Sequence, residues 1–104
     1  MNWGERYECN GYYVPPRMMG GLRRYIEHGV PAGSFLMAVV ENDLKNAVGR
    51  ADEENLTNLP AYVYFLYNEA PGGCWGSQEK VERWIGQGGL HGKGINLVPS
   101  LSAA

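Results

Sequence analysis

Apolar residues recur with a helical period through the middle of the chain. Met18, Leu22 and Ile26 fall every four residues after Pro15-Pro16, a stripe along one helix face with proline in the first turn. Gly29 supplies a left-handed stop, and Pro31 blocks continuation. Ser34 has the chemistry of an N-cap. Phe35, Leu36, Val39, Val40, Leu44, Ala47 and Val48 then fall in i, i+4 rows. Asn42-Asp43 interrupt those rows with capping residues, which predicts two short helices rather than one. Asp52, Glu53 and Glu54 suit the positive end of a helix dipole. They open the longest helical stretch, to Ala70, with Leu56, Leu59, Val63, Leu66 and Ala70 as its core stripe. Pro60 would bend that helix in an interior turn, so a start nearer Thr57 is expected, with 52–56 as a separate turn. Tyr62 through Tyr67 is apolar all round, which makes the helix central or leaves it a spare face for a partner. After Pro71-Gly72-Gly73, Ser77 caps a last helix that buries Val81, Trp84 and Ile85.

The two ends lack this period. Residues 1–16 mix Trp3, Tyr7, Tyr12 and Tyr13 with turn formers, and residues 87–104 carry Gly88, Gly89, Gly92, Gly94 and Pro99. Both read as irregular arms, with the final residues mobile. The expected fold is all-α: one compact bundle of four to five short helices over 17–86, with an aromatic arm at 1–16 and a Gly-rich tail at 87–104. Its core should gather Leu22, Ile26, Phe35, Val39, Leu59, Val63, Leu66, Val81 and Trp84. The arm holds too many aromatics to leave in water, so they pack on the bundle or on another subunit. A homo-oligomer is expected.

Composition narrows the class. The 104 residues suffice for one modest core. With 44% hydrophobic and 19% charged residues, the chain reads as globular rather than disordered. A net charge of -2 offers no excess for binding a polyanion and is too mild for a DNA mimic. No apolar run approaches a membrane span. Met1 is followed by polar Asn2, Gly4, Glu5 and Arg6, so no signal peptide is expected. Cys9 and Cys74 do not make a disulfide framework. A cytoplasmic chain with free thiols is the expectation.

Three groups of residues carry candidate chemistry. Arg17, Arg24 and His28 lie at i, i+7 and i+11, within about 40° of one another at 100° per residue, with Arg23 beside them. This cationic stripe could hold a phosphate or a carboxylate surface. A solvated face with Glu27 as ion-pair partner explains the same residues. The loop Pro71–Ser77 leads into a helix N-terminus that favours anions. Its Trp75 could stack on a base or fill a protein pocket, with Gly76 and Ser77 offering backbone amides. The plainer explanation is a helix–helix connection with Ser77 as cap and Trp75 over the core. Asn68 and Glu69 end the long helix just before that loop. Glu69 opposes the dipole there, which an arginine of the first helix or a ligand amide or ribose would offset.

Other chemistries find less support. The glycines of 72–76 lack a P-loop lysine. Cys9, His28, Cys74 and His91 are zinc-type ligands without metal-site spacing, and no third group orients a Cys–His pair. Asp43 and 52–54 are explained as caps and first-turn charges. The helix after Gly33 opens Phe35-Leu36-Met37-Ala38-Val39-Val40 and has no side chain to read base edges. No catalytic set, metal, cofactor or direct DNA reading is expected.

Several segments resemble a family of small uncharacterised bacteriophage and prophage proteins. They are Gly20-Gly21-Leu22-Arg23-Arg24-Tyr25-Ile26-Glu27-His28-Gly29, Asn42-Asp43-Leu44-Lys45, Gly49-Arg50-Ala51-Asp52-Glu53-Glu54-Asn55, Tyr67-Asn68-Glu69-Ala70-Pro71, Cys74-Trp75-Gly76-Ser77 and Trp84-Ile85. The resemblance implies a phage or mobile-element origin and expression in a bacterial host's cytoplasm. It carries no established activity. Small accessory proteins of that kind often antagonise host defence by binding a protein or a signalling nucleotide. The expected function is therefore a non-enzymatic inhibitor that blocks or sequesters a host component. The alternatives are a protein that sequesters an anionic nucleotide, and a phage structural or regulatory interaction protein.

Overall fold

The structure, a computed structural model, describes residues 2–96, with side-chain surroundings through residue 92. The chain opens with a hairpin, β1 (Tyr7–Cys9) and β2 (Tyr12–Val14), paired antiparallel with Tyr7 opposite Val14. The irregular arm expected here is corrected. Asn10 and Gly11 turn the chain at φ 54° and 84°, the pair of left-handed residues that a tight hairpin turn requires. The aromatics flanking the turn are strand formers.

Helix α1 (Pro16–His28) starts at the prolines and stops at Gly29, which is left-handed at φ 69°, as its sequence requires. Helices α2 (Ser34–Val40) and α3 (Leu44–Arg50) break where expected. Asn42 takes φ 61°, and Asp43 accepts from the Asn46 amide at 3.2 Å. Ser34 is the first helical residue rather than the cap; Gly33 holds the cap position without a side-chain bond. The acidic turn and the long helix separate into α4 (Glu53–Thr57) and α5 (Leu59–Glu69). Pro60 thereby falls in a first turn, where its missing N–H costs nothing. A short 3₁₀ turn, Gly72–Cys74, leads to α6 (Gln78–Gly86), capped by Ser77. The Gly-rich tail is also corrected: Gly89–Asn96 form α7. The expected mobile end beyond it lies outside the described residues.

The all-α class stands, with seven α-helices and one small hairpin among the described residues. The core joins Met19, Leu22, Tyr25 and Ile26 of α1 to Phe35, Leu36, Val39 and Val40 of α2. Tyr62, Phe65 and Leu66 of α5 and Val81 and Trp84 of α6 complete it. The expected stripe of α5 is rotated. Val63 is 52% exposed, and Leu56 on α4 faces outward, while Ala61, Tyr62 and Phe65 are buried. Phe65 receives the hairpin, with Tyr7 and Trp3 edge-on at 5.3 and 6.0 Å between centroids. That contact turns the aromatic face of α5 inward. Leu44 and Val48 of α3 also stay outside; Ala47 alone of that helix is buried.

Candidate functional site

The cationic residues of α1 divide between two places. Arg17 lies beside α4, where Nη2 is 2.9 Å from Asp52 Oδ2 and 3.0 Å from Glu54 Oε1. The Tyr13 hydroxyl donates to the other Glu54 oxygen at 2.7 Å. The Tyr13 hydrogen bond and then the Arg17 guanidinium hold the Glu54 carboxyl below its usual range. Arg17 is thus a clamp between hairpin, α1 and α4, committed within the fold.

Arg23, Arg24 and His28 line a groove with Gly20 and with Trp3 and Gly4 of the N-terminal segment, about 440 Å³ in volume. Gly4 donates to Asn2 Oδ1 at 2.9 Å in a turn that precedes the hairpin. Trp3 packs one edge on Phe65, so its ring is held by the core. The Arg24 guanidinium folds back along α1, and a Cβ on Gly20 would come within 3.3 Å of its Nη1. Among the described residues, no carboxylate lies within ion-pair distance of Arg24. Arg23 is bonded to Glu27 at 3.0 Å, the partner expected for this face. That bond, the largest influence on it, holds the Glu27 carboxyl below its ordinary value.

The aromatic beside the cations is therefore Trp3. The loop bearing Trp75 meets α1 from the core side, where the Tyr25 hydroxyl donates to the Cys74 carbonyl. Trp75 is half-buried against the core. The Gly76 amide donates to the Val40 carbonyl at 2.8 Å, and Ser77 Oγ accepts from the Lys80 amide at 3.2 Å. These contacts are those of a helix connection. Burial pushes the Cys74 thiol up to about 12, so it is protonated and a poor nucleophile at neutral pH.

Asn68 and Glu69 face the hairpin. Asn68 Nδ2 lies 3.4 Å from the Tyr7 hydroxyl, and Glu69 lines a separate groove with Arg6, Tyr7 and Met19. The arginine of α1 expected to pair with Glu69 is not there; among the described residues Glu69 has no ion pair. Trp3 had no sequence signal for its position, because a hairpin contact with α5 sets it. The hairpin itself was signalled by Asn10-Gly11 between short aromatic runs.

No family model, no curated protein and no solved structure matches this chain.

Proposed function

We propose that this chain is a non-enzymatic binding protein that docks an acidic patch of a partner protein in the Trp3–Arg24 groove. The observation that carries the reading is the juxtaposition of a core-anchored tryptophan with an arginine free of carboxylates. Trp and Arg dominate binding energy at protein interfaces because one offers rigid apolar area and the other a bidentate fork. Arg24 spends none of its donors on an internal ion pair, so a partner carboxylate meets an available cation. In the phage setting implied by the resemblance, the partner is a host component, blocked or sequestered in the bacterial cytoplasm as a counter to antiviral defence. The groove's volume also suits a small anionic nucleotide, which supports the second reading: sequestration of a signalling nucleotide.

Charge reversal tests the groove under either reading. Arg24→Glu should abolish protection of phage in an infected host while the melting curve stays near wild type. A fully active Arg24→Glu would remove the groove from the function. If Trp75→Ala alone were inactive and folded, the loop with Gly76 and Ser77 would carry it. A panel of linear and cyclic nucleotides decides the second reading, because a ligand stabilises by RT ln(1 + [L]/Kd). A melting temperature that rises with one nucleotide supports sequestration, and a flat panel supports the protein partner.

A further inference from the structure

The chain has two histidines, at positions 28 and 91. Folding brings both to one place, with a carboxylate. The ligand atoms of Glu27, His28 and His91 all lie within 4.8 Å of one another. The two imidazoles meet edge-to-face at 5.0 Å between centroids, and His28 Nε2 is 3.8 Å from Glu27 Oε1. We propose that Glu27, His28 and His91 bind a divalent first-row transition ion of the zinc class.

The backbone builds this juxtaposition. Gly29 ends α1, and Gly89 begins α7, in direct backbone contact. A Cβ on Gly89 would lie 2.6 Å from the His28 amide nitrogen and 2.7 Å from the Glu27 carbonyl carbon. Without side chains at either glycine, the start of α7 seats on the last turn of α1 and carries His91 over His28. Both glycines are left-handed, at φ 69° and 75°, a conformation that strains other residues.

The donor set fits the ion. Two imidazole nitrogens and one carboxylate oxygen are ligands shared by zinc and its first-row neighbours, with a water completing the shell. Bonds of about 2.0–2.1 Å to a tetrahedral ion put ligand atoms about 3.3 Å apart. Closing from the present spacing brings ligand atoms up to about 1.5 Å nearer one another, within reach of side-chain rotations of two exposed imidazoles. Arg23 donates to Glu27 Oε1, the oxygen that faces His28, and so orients the carboxylate from the outer shell. The end of α1 favours a cation and the start of α7 opposes one. Selectivity therefore comes from the three ligands rather than from a helix dipole. The site shares His28 with the groove, but it does not rest on the partner-binding reading, since neither Trp3 nor Arg24 contributes a ligand.

The histidine count makes the test direct. In the full chain at pH 7.5, zinc should shift the imidazole NMR signals of both histidines together and saturate at one equivalent. Cobalt(II) should give visible d–d absorption with the same stoichiometry. His28→Gln and His91→Gln should each weaken cobalt binding at least tenfold, with unchanged circular dichroism in the absence of metal. Were a variant to unfold, the wild-type NMR titration still decides. If one imidazole or neither responds to zinc, or if a folded His28→Gln/His91→Gln double variant binds as tightly as wild type, the proposal is overturned.

Discussion

Among the described residues, the buried hydroxyls of Tyr25 and Tyr62 and the buried indole N–H of Trp84 each have a partner, and those partners hold the inward faces of their helices. Tyr62 donates to the side chain of Asn55, which is buried with it, and Tyr25 donates to the Cys74 carbonyl. Trp84 Nε1 is 3.1 Å from the carbonyls of both Tyr25 and Ile26 at the end of α1. A buried donor left unpaired costs about 1–3 kcal/mol, so rotating α5 to bury Val63 would strand the Tyr62 hydroxyl or expose it. Neighbouring residues on this helix should then respond very differently. Leu66→Ala should cost about 2–5 kcal/mol in denaturant titration, as a buried leucine does. Val63→Ala should stay within about 0.5 kcal/mol, as surface changes do. Equal losses at the two sites would show that the inward face of α5 is the other one.

Among the described elements, α4 is the shortest α-helix and the most dependent on charge. It has five residues, too few to persist on backbone bonds alone. Asp52 caps it by accepting from the Asn55 amide at 2.8 Å, and Arg17 and Tyr13 hold its Glu54. The Asn55 amide bond is the chief cause that holds the Asp52 carboxyl below its ordinary value, and Glu54 is likewise lowered. Groups with lowered folded values contribute stability that is complete above their unfolded values, about 4. That contribution is lost as pH falls through the folded values. The melting temperature should therefore hold from pH 7 to about 5 and decline below about 4. Arg17→Gln should lower it at neutral pH and flatten the acid limb, because Asp52 and Glu54 lose a cation that favours their charged forms. Superimposable pH profiles would mean that the clamp adds nothing, the usual fate of an isolated surface pair.

At the scale of the whole molecule, the outstanding feature is an apolar face left in water. Leu44 of α3 and Leu59 and Val63 of α5 line one groove, and Val63 with Leu59, Pro60 and Tyr64 lines the next. Leu44 is 69% exposed, and Tyr67, one turn beyond Val63, is 78% exposed. The homo-oligomer expected from the Tyr62–Tyr67 run would use this face. Self-association through this face does not require the arm, whose Trp3 and Tyr7 pack on Phe65 of their own chain. Sedimentation at high micromolar concentration should show a dimer or larger, and Val63→Glu should return it to monomer. A monomeric wild type would remove self-association and leave the face to another partner or to solvent. No described helix is long and apolar enough to cross a membrane.

Local chemistry alone determined the helix boundaries that depend on a single residue type. Proline starts α1 and excludes itself from the interior of α5; Gly29 stops α1; Asp43, Asp52 and Ser77 cap their helices. These follow from φ limits and unpaired amides, which act within a few residues. Leu22 and Ile26 of α1 and Val81 and Trp84 of α6 were legible too, since each helix has an apolar stripe, although Met19 and Tyr25 widen the buried face of α1 beyond it. Helix α5 has apolar residues on every side, so its period was mute, and tertiary partners chose its buried face: Tyr7 and Trp3 at Phe65, and Asn55 at Tyr62. The candidate sites show the same division. The spacing of Arg17, Arg24 and His28 put them on one face of one helix. Tertiary packing then gave Arg17 to α4 and placed Trp3 beside Arg24. It also brought His91 to Glu27 and His28 through a glycine–glycine contact between the end of α1 and the start of α7. Contacts between residues so far apart in sequence depend on how whole elements pack, and no short-range period encodes that.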